Sequence, residues 1–127
     1  FIAAWRSKYQ INLLRPVTYV QLFIDSNWTP QLMNTPPFPE YPSGHSVQSA
    51  AAAAVLSTLF GAQTAFTDNA HNDRGWGPRT FTSFNAAAEE AALSRLYAGI
   101  HFRSAVINGQ AQGRCVAQRV LGLKTRR

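Results

Sequence analysis

The chain has 127 residues, 46% of them hydrophobic and only 14% charged, against a usual charged share of about 25%. Its 12 Lys+Arg and 6 Asp+Glu give a formal net charge of +6, a balance that suits nucleic acid, acidic membranes or anionic substrates. The length fits a single domain or part of one. The lone Cys115 excludes an intrachain disulfide, leaving the redox compartment open. No run reaches the ~18–20 uninterrupted apolar residues of a membrane span.

Phe1 to Leu14 reads as a helix, with Ile2, Trp5, Tyr9 and Leu13 near helical spacing, and Pro16 breaks or kinks it. Lys8 and Arg15 lie seven residues apart, so they share a face if the helix reaches Arg15. Val17 to Ile24 is apolar and β-branched and is read as a short helix from its surroundings. Residues 25–43 form a long loop holding Pro30, Pro36, Pro37, Pro39 and Pro42. Loops of that length are usually functional, and the prolines stiffen this one. Trp28, Phe38 and Tyr41 give it apolar anchors, so it reads as a brace for Ser43 and His45.

Ser46 to Phe60 is predicted as an alanine-rich helix closed by Gly61 at C′. Gly61 to Ser83 is predicted irregular; its Asp68, His71 and Asp73 read as a surface turn in preference to a metal site. Phe84 to Tyr97 is a helix with Ser83 as N-cap, and Phe102 to Leu121 a long helix with Gly109 and Gly113 at a close packing face. Cys115 is expected there as a small buried residue, and the tail from Lys124 to Arg127 as a solvated end.

The chemistry gathers on the turn Pro42-Ser43-Gly44-His45-Ser46. A stiff loop runs straight into a helix, whose first turn carries free N–H groups and a partial positive charge. That is an anion site in the making. Gly44 permits close approach to the backbone, Ser43 offers a hydroxyl, and His45 can move a proton near neutral pH. Lys8, Arg15 and Arg95 supply positive charge, with arginine able to grip an oxyanion in bidentate fashion.

Lys8-x6-Arg15-Pro16, then Pro42-Ser43-Gly44-His45, then Ser94-Arg95-x5-His101 resemble the three-part signature of the vanadium-dependent haloperoxidases and the type 2 phosphatidic acid phosphatase (PAP2) superfamily. The resemblance covers nearly the whole chain. The text from Pro36 to Tyr41 and from Ser94 to His101 is similar to the soluble bacterial haloperoxidase-like branch. It implies an all-α helical bundle and makes residues 1–127 the C-terminal, active-site part of such a domain. The start at Phe1 and the low charge share fit a piece of a longer chain, lacking N-terminal helices, that packs against the rest or forms an oligomer.

The resemblance further implies vanadate, or phosphate in the same site, held by Lys8, Arg15, Ser43, Gly44 and Arg95. His101 is the implied vanadium ligand or phosphorus nucleophile, and His45 the acid/base. Many PAP2 phosphatases carry an aspartate four residues after the last histidine. Ala105 stands there, so Asp25, Glu40, Asp68, Asp73 or a backbone carbonyl must orient His101. The expected activity is vanadate-dependent oxidation of a halide by hydrogen peroxide, in a secreted or periplasmic protein by preference. The alternatives are a phosphatase acting on a phosphoester through phospho-His101 and a non-catalytic assembly module that keeps the anion pocket. Nucleic-acid binding is disfavoured because the cations are dispersed and not grouped with aromatics.

Overall fold

The structure, a computed structural model, describes residues 1–32 and 34–124; from Thr125 on, the expected solvated tail lies outside them. The described residues form α1 (Ile2–Ile11), α2 (Pro16–Phe23), α3 (Gly44–Phe60), β1 (Phe66–Asp68), β2 (Arg79–Phe81), α4 (Phe84–Tyr97) and α5 (Arg103–Leu121). This is the expected all-α bundle with one small hairpin added.

α3 lies at the centre, packed on α5 and α4. The core is built of small residues: Val47, Ala50 and Ala53 on α3, Ala88 and Ala92 on α4, Ala105, Val106 and Ala117 on α5. Small side chains bring helix axes close, and two glycines bring them closer. A Cβ on Gly109 would sit 2.9 Å from the Ser43 carbonyl oxygen, and one on Gly113 would sit 2.3 Å from that of Val47. The start of α3 is thereby pressed against α5, and the Ser43 N–H donates to the Ala105 carbonyl at 3.1 Å.

α1 is shorter than expected. It ends at Asn12, which takes the left-handed conformation (φ 51°) that asparagine tolerates, while its N–H bonds the Lys8 carbonyl. The chain then runs to Arg15, the extended N-cap of α2, and Pro16 starts that helix instead of breaking one. Lys8 and Arg15 therefore do not share a helical face; they meet because the chain turns between them. α3 also starts two residues before the expected Ser46, because Ser43 caps it by accepting the Ser46 N–H. Gly61 is the C-cap of α3 (φ 104°), one position inside the expected C′.

The stretch expected to be irregular contains the β1–β2 pair, antiparallel with Phe66 opposite Phe81 and Thr67 opposite Thr80. Ring contact between the two phenylalanines at 5.5 Å and a 3.1 Å hydroxyl contact between the threonines hold it. Such cross-strand pairs are non-local, and three-residue strands leave little alternation to read. Asp68 ends β1, while His71 and Asp73 lie in the connection that follows, Asp73 in a short 3-10 turn (Asn72–Arg74); all three are exposed, and no metal-binding cluster of His, Cys, Asp or Glu occurs among the described residues. Cys115 is exposed, against expectation, because it falls on the outer side of α5, away from the Gly109–Gly113–Ala117 stripe.

The described residues of the proline loop are irregular, and backbone bonds to other segments tie it at three points: Leu32 N–H to the Ala98 carbonyl, Glu40 N–H to that of Leu13, and Ser43 as above. Ala98 leads into Gly99 (φ 72°), where a Cβ would meet Pro30 at 3.1 Å and Trp28 at 3.2 Å. On the α1–α2 side large apolar groups stay exposed, among them Ile2 at 86%, Leu22 at 67% and Ile24 at 71%. No helix among the described residues is long and apolar enough to cross a membrane.

Gly113→Ala forces a methyl onto a backbone oxygen that cannot rotate away. It is expected to destabilise the chain by about 1–3 kcal/mol, with Gly122→Ala near neutral because its nearest atoms lie at 3.5 Å. Urea denaturation of the two variants against the parent checks this.

Candidate oxyanion site

Three separated segments converge on one pocket of about 120 Å³. Lys8, Arg15, Gly44, His45, Arg95 and His101 line it, and Ala4, Trp5 and Phe38 form its apolar wall. Six of the seven residues singled out from sequence are thus on its surface. Ser43 is not: it is fully buried just beneath, as the N-cap of α3. Its Oγ accepts from the Ser46 N–H at 3.3 Å and contacts the Ser46 hydroxyl at 2.8 Å. When Ser46 donates that bond, the Ser43 hydrogen remains free to be donated.

The cations are held by carbonyl oxygens of the proline loop. Lys8 is 1% exposed and its Nζ donates to the Pro39 and Glu40 carbonyls at 2.9 and 3.0 Å. An ammonium has three hydrogens, so one is left over. Arg15 Nε donates to the Phe38 carbonyl at 2.9 Å; Nη1 donates to the Ile100 carbonyl at 3.0 Å and lies 3.1 Å from His101 Nε2. Arg15 Nη2 and Arg95 Nε are buried with no hydrogen-bond partner among the described residues. The Phe38 ring lies under both cations, 5.2 Å from Lys8 Nζ and 4.8 Å from the Arg15 guanidinium, which lends them its negative face.

His101 enters from the turn before α5 and is buried. Its Nδ1 lies 2.7 Å from Glu40 Oε1, which also accepts the Phe102 N–H at 3.0 Å. Glu40 is the one buried carboxylate of the six; Asp25, Asp68, Asp73, Glu89 and Glu90 are exposed. The choice among the candidate partners of His101 is thereby settled, and Ala105 sits fully buried in the core. A carboxylate accepts only, so the bond needs Nδ1–H and leaves the Nε2 lone pair toward Arg15 and the pocket.

The electrostatics show what the pocket lacks. Burial, then the neighbouring Arg15, push the Lys8 pKa from 10.5 down to about 8, with Glu40 opposing. Burial also lowers Arg15 and Arg95. His45 lies on the wall and is held below its ordinary 6.5 by partial burial, then by Arg95 and Lys8. His101 is lowered by burial and by Arg15 and Lys8, against the opposing bond from Glu40. Every shift disfavours positive charge, first through burial and, except at Arg95, through neighbouring cations as well.

The donor set fits a tetrahedral oxyanion. Two buried N–H donors, Arg15 Nη2 and Arg95 Nε, have no acceptor among the described residues, Gly44 and His45 of the first α3 turn line the cavity, and a Cβ on Gly44 would come within 4.0 Å of the Lys8 side chain. Phe38, Trp5 and Gln48, which also line it, were not singled out from sequence as site residues. For Gln48 the signal was its position one helical turn beyond His45. Phe38 was read only as a loop anchor.

A family profile described as the VCPO second helical-bundle domain matches residues 21–127. Among solved structures, the chain is 49% identical to one described as the first bacterial vanadium-dependent iodoperoxidase, with a TM-score of 0.91 over 95% of this chain and 29% of that one. It is 20% identical to the holo form of a bacterial vanadium-dependent chloroperoxidase, with a TM-score of 0.75 over 92% of this chain and 31% of that one, a likeness of fold. The chain thus spans less than a third of the length of these structures. No curated protein matches it.

Because both imidazoles are held below 6.5 in the folded chain, the unfolded chain binds more protons in mild acid. Their contribution to stability is complete above about pH 6.5 and is lost as pH falls toward the folded values. The urea midpoint is expected to drop between about pH 7 and pH 5.5, a window above the ordinary carboxylate range; a flat midpoint there would contradict the assignment.

Proposed function

The chain belongs to the vanadium haloperoxidase family, as its second helical-bundle domain, and on that premise we propose that it forms the vanadate site of a peroxidase that oxidises iodide. The observation that carries this reading is the pair of buried donors without acceptors among the described residues, Arg15 Nη2 and Arg95 Nε, beside a histidine Nε2 whose only neighbour there is a donor, Arg15 Nη1 at 3.1 Å. Iodide is chosen because the 49%-identical structure is described as an iodoperoxidase.

In this reading Lys8, Arg15 and Arg95 neutralise the oxyanion, the Gly44 N–H and the Ser43 hydroxyl add neutral donors, and His101 Nε2 is the ligand. Vanadate bound there supplies a Lewis acid that activates hydrogen peroxide toward the halide. The overall reaction oxidises iodide by two electrons to hypoiodous acid, reduces peroxide to water and consumes one proton. The role assigned to His45 is to pass that proton: its depressed pKa keeps the imidazole neutral near pH 7, able to take up a proton and return it. Phe38 and Trp5 keep the cations poorly hydrated, which strengthens every charge interaction in the pocket. The exposed apolar face of α1 and α2 is read as a surface covered by the remainder of a longer protein, as the short span of the chain suggests.

The Glu40–His101 contact at 2.7 Å also favours a second reading, phosphoester hydrolysis through phospho-His101, since a carboxylate positions the nucleophile despite Ala105. The two are separated by assay. With orthovanadate, hydrogen peroxide and iodide, the full-length protein is expected to produce oxidised iodine only when vanadate is present. His101→Ala should abolish this, and His45→Ala should slow it on the order of 10²-fold. Vanadate-independent hydrolysis of an aryl phosphate, with no halide oxidation for iodide, bromide or chloride, would transfer the assignment to the phosphatase.

Lys8 adds a pH signature. With its pKa at about 8, the ammonium is largely lost above that value in the free protein, and binding a dianion must restore the proton. Calorimetric affinity for inorganic phosphate, a dianion throughout this range, should weaken by up to about tenfold per unit as pH rises from about 8 to 10, and the dependence should vanish in Lys8→Met.

A further inference from the structure

We propose that Glu40 is the positioning residue of the oxyanion site: its side chain selects the tautomer of His101 while its backbone fixes Lys8, so that one loop residue sets both the ligand and a cation of the pocket. The proposal rests on the reading of His101 as the ligand.

The contacts come from separate atoms. Oε1 takes His101 Nδ1–H at 2.7 Å and the Phe102 N–H at 3.0 Å. The Glu40 carbonyl takes one hydrogen of Lys8 Nζ at 3.0 Å, and its N–H donates to the Leu13 carbonyl at 2.9 Å. Leu13 stands two residues before Arg15, so the segments bearing Lys8, Arg15 and His101 are referred to one residue. Glu40 itself is 0% exposed, and its Oε2 has no partner among the described residues. Burying a carboxylate with half its acceptor capacity unused is costly. A residue present only for packing is served better by an apolar side chain, so the carboxylate is retained for what Oε1 does. A histidine ligand oriented by a carboxylate on its other nitrogen has a fixed ring and a more basic ligating atom.

The Phe102 amide makes the proposal testable, because it can only donate. In Glu40→Gln the side-chain oxygen must therefore still face Phe102 N–H and His101 Nδ1, and the tautomer is kept while the charge is lost. In Glu40→Ala both constraints go.

The first readout is ¹⁵N NMR of the His101 ring at neutral pH with no oxyanion added. The parent and Glu40→Gln should show one tautomer, protonated on Nδ1, and Glu40→Ala a mixture of the two. The second is orthovanadate affinity by titration, expected to fall on the order of 10- to 100-fold in Glu40→Gln. Unchanged vanadate affinity in Glu40→Gln overturns the proposal, as does an unshifted Nδ1–H tautomer in a folded Glu40→Ala. If Glu40→Ala does not fold, Glu40→Gln alone decides it. The tautomer is read without oxyanion or peroxide, so a failure of the haloperoxidase reading leaves that arm intact. A correct tautomer with no vanadate binding in the parent would count against the functional reading instead.

Discussion

Three cations are brought together with a single buried carboxylate beside them, and the rest of the site follows from that constraint. Lys8 and Arg15 have no ion-pair partner among the described residues; loop carbonyls from Phe38 to Glu40 hold them. Carbonyl dipoles satisfy hydrogen-bonding capacity but do not cancel net charge, so the pocket keeps a positive potential that the protein does not quench. Full neutralisation by carboxylates would have left nothing to attract an anion. The pKa values of Lys8, Arg15, Arg95 and both pocket histidines are depressed first by burial, and neighbouring cations add to it at all of them but Arg95.

The proline loop has a different task from the one its sequence suggests. It does deliver Ser43 to the head of α3, but its larger service is to present a row of carbonyls to the cations. Prolines suit this: without an N–H they make no competing donor, and their fixed φ holds neighbouring carbonyls in set directions. Arg15 Nε bonds the carbonyl before Pro39, and Lys8 Nζ bonds that of Pro39 itself.

The second support is the close approach of α3 and α5. Gly109 and Gly113 let the head of α3 rest against α5, which fixes Ser43 through the Ala105 carbonyl and sets the α3 N-terminus beside His101, two residues before α5 begins. Ala105 is thus occupied by packing, and the carboxylate for His101 comes from the opposite side, from the loop. The same end, an oriented imidazole, is reached from another element.

Much was legible in the sequence by itself. The helices around Ser43, Ser83 and the Gly109–Gly113 stripe carried local signals of capping, composition and spacing, and the site residues Lys8, Arg15, Gly44, His45, Arg95 and His101 stood in a pattern specific enough to be gathered before any coordinate was known. The Phe66–Phe81 hairpin was not legible, since its strands are held by partners 11 to 15 residues apart and not by a local period. Nor was the side of α5 that leaves Cys115 exposed. The turn at Asn12 was hidden because asparagine permits a left-handed residue without demanding one. Glu40 was among several possible partners for His101, and only the fold could choose it: burial depends on which segments cover a residue, and the five other carboxylates are left in water. Residue type and spacing determined the chemistry available to this chain. The tertiary structure decided which groups lost their solvent, and that loss gathers a scatter of cations and imidazoles into the site proposed for an oxyanion.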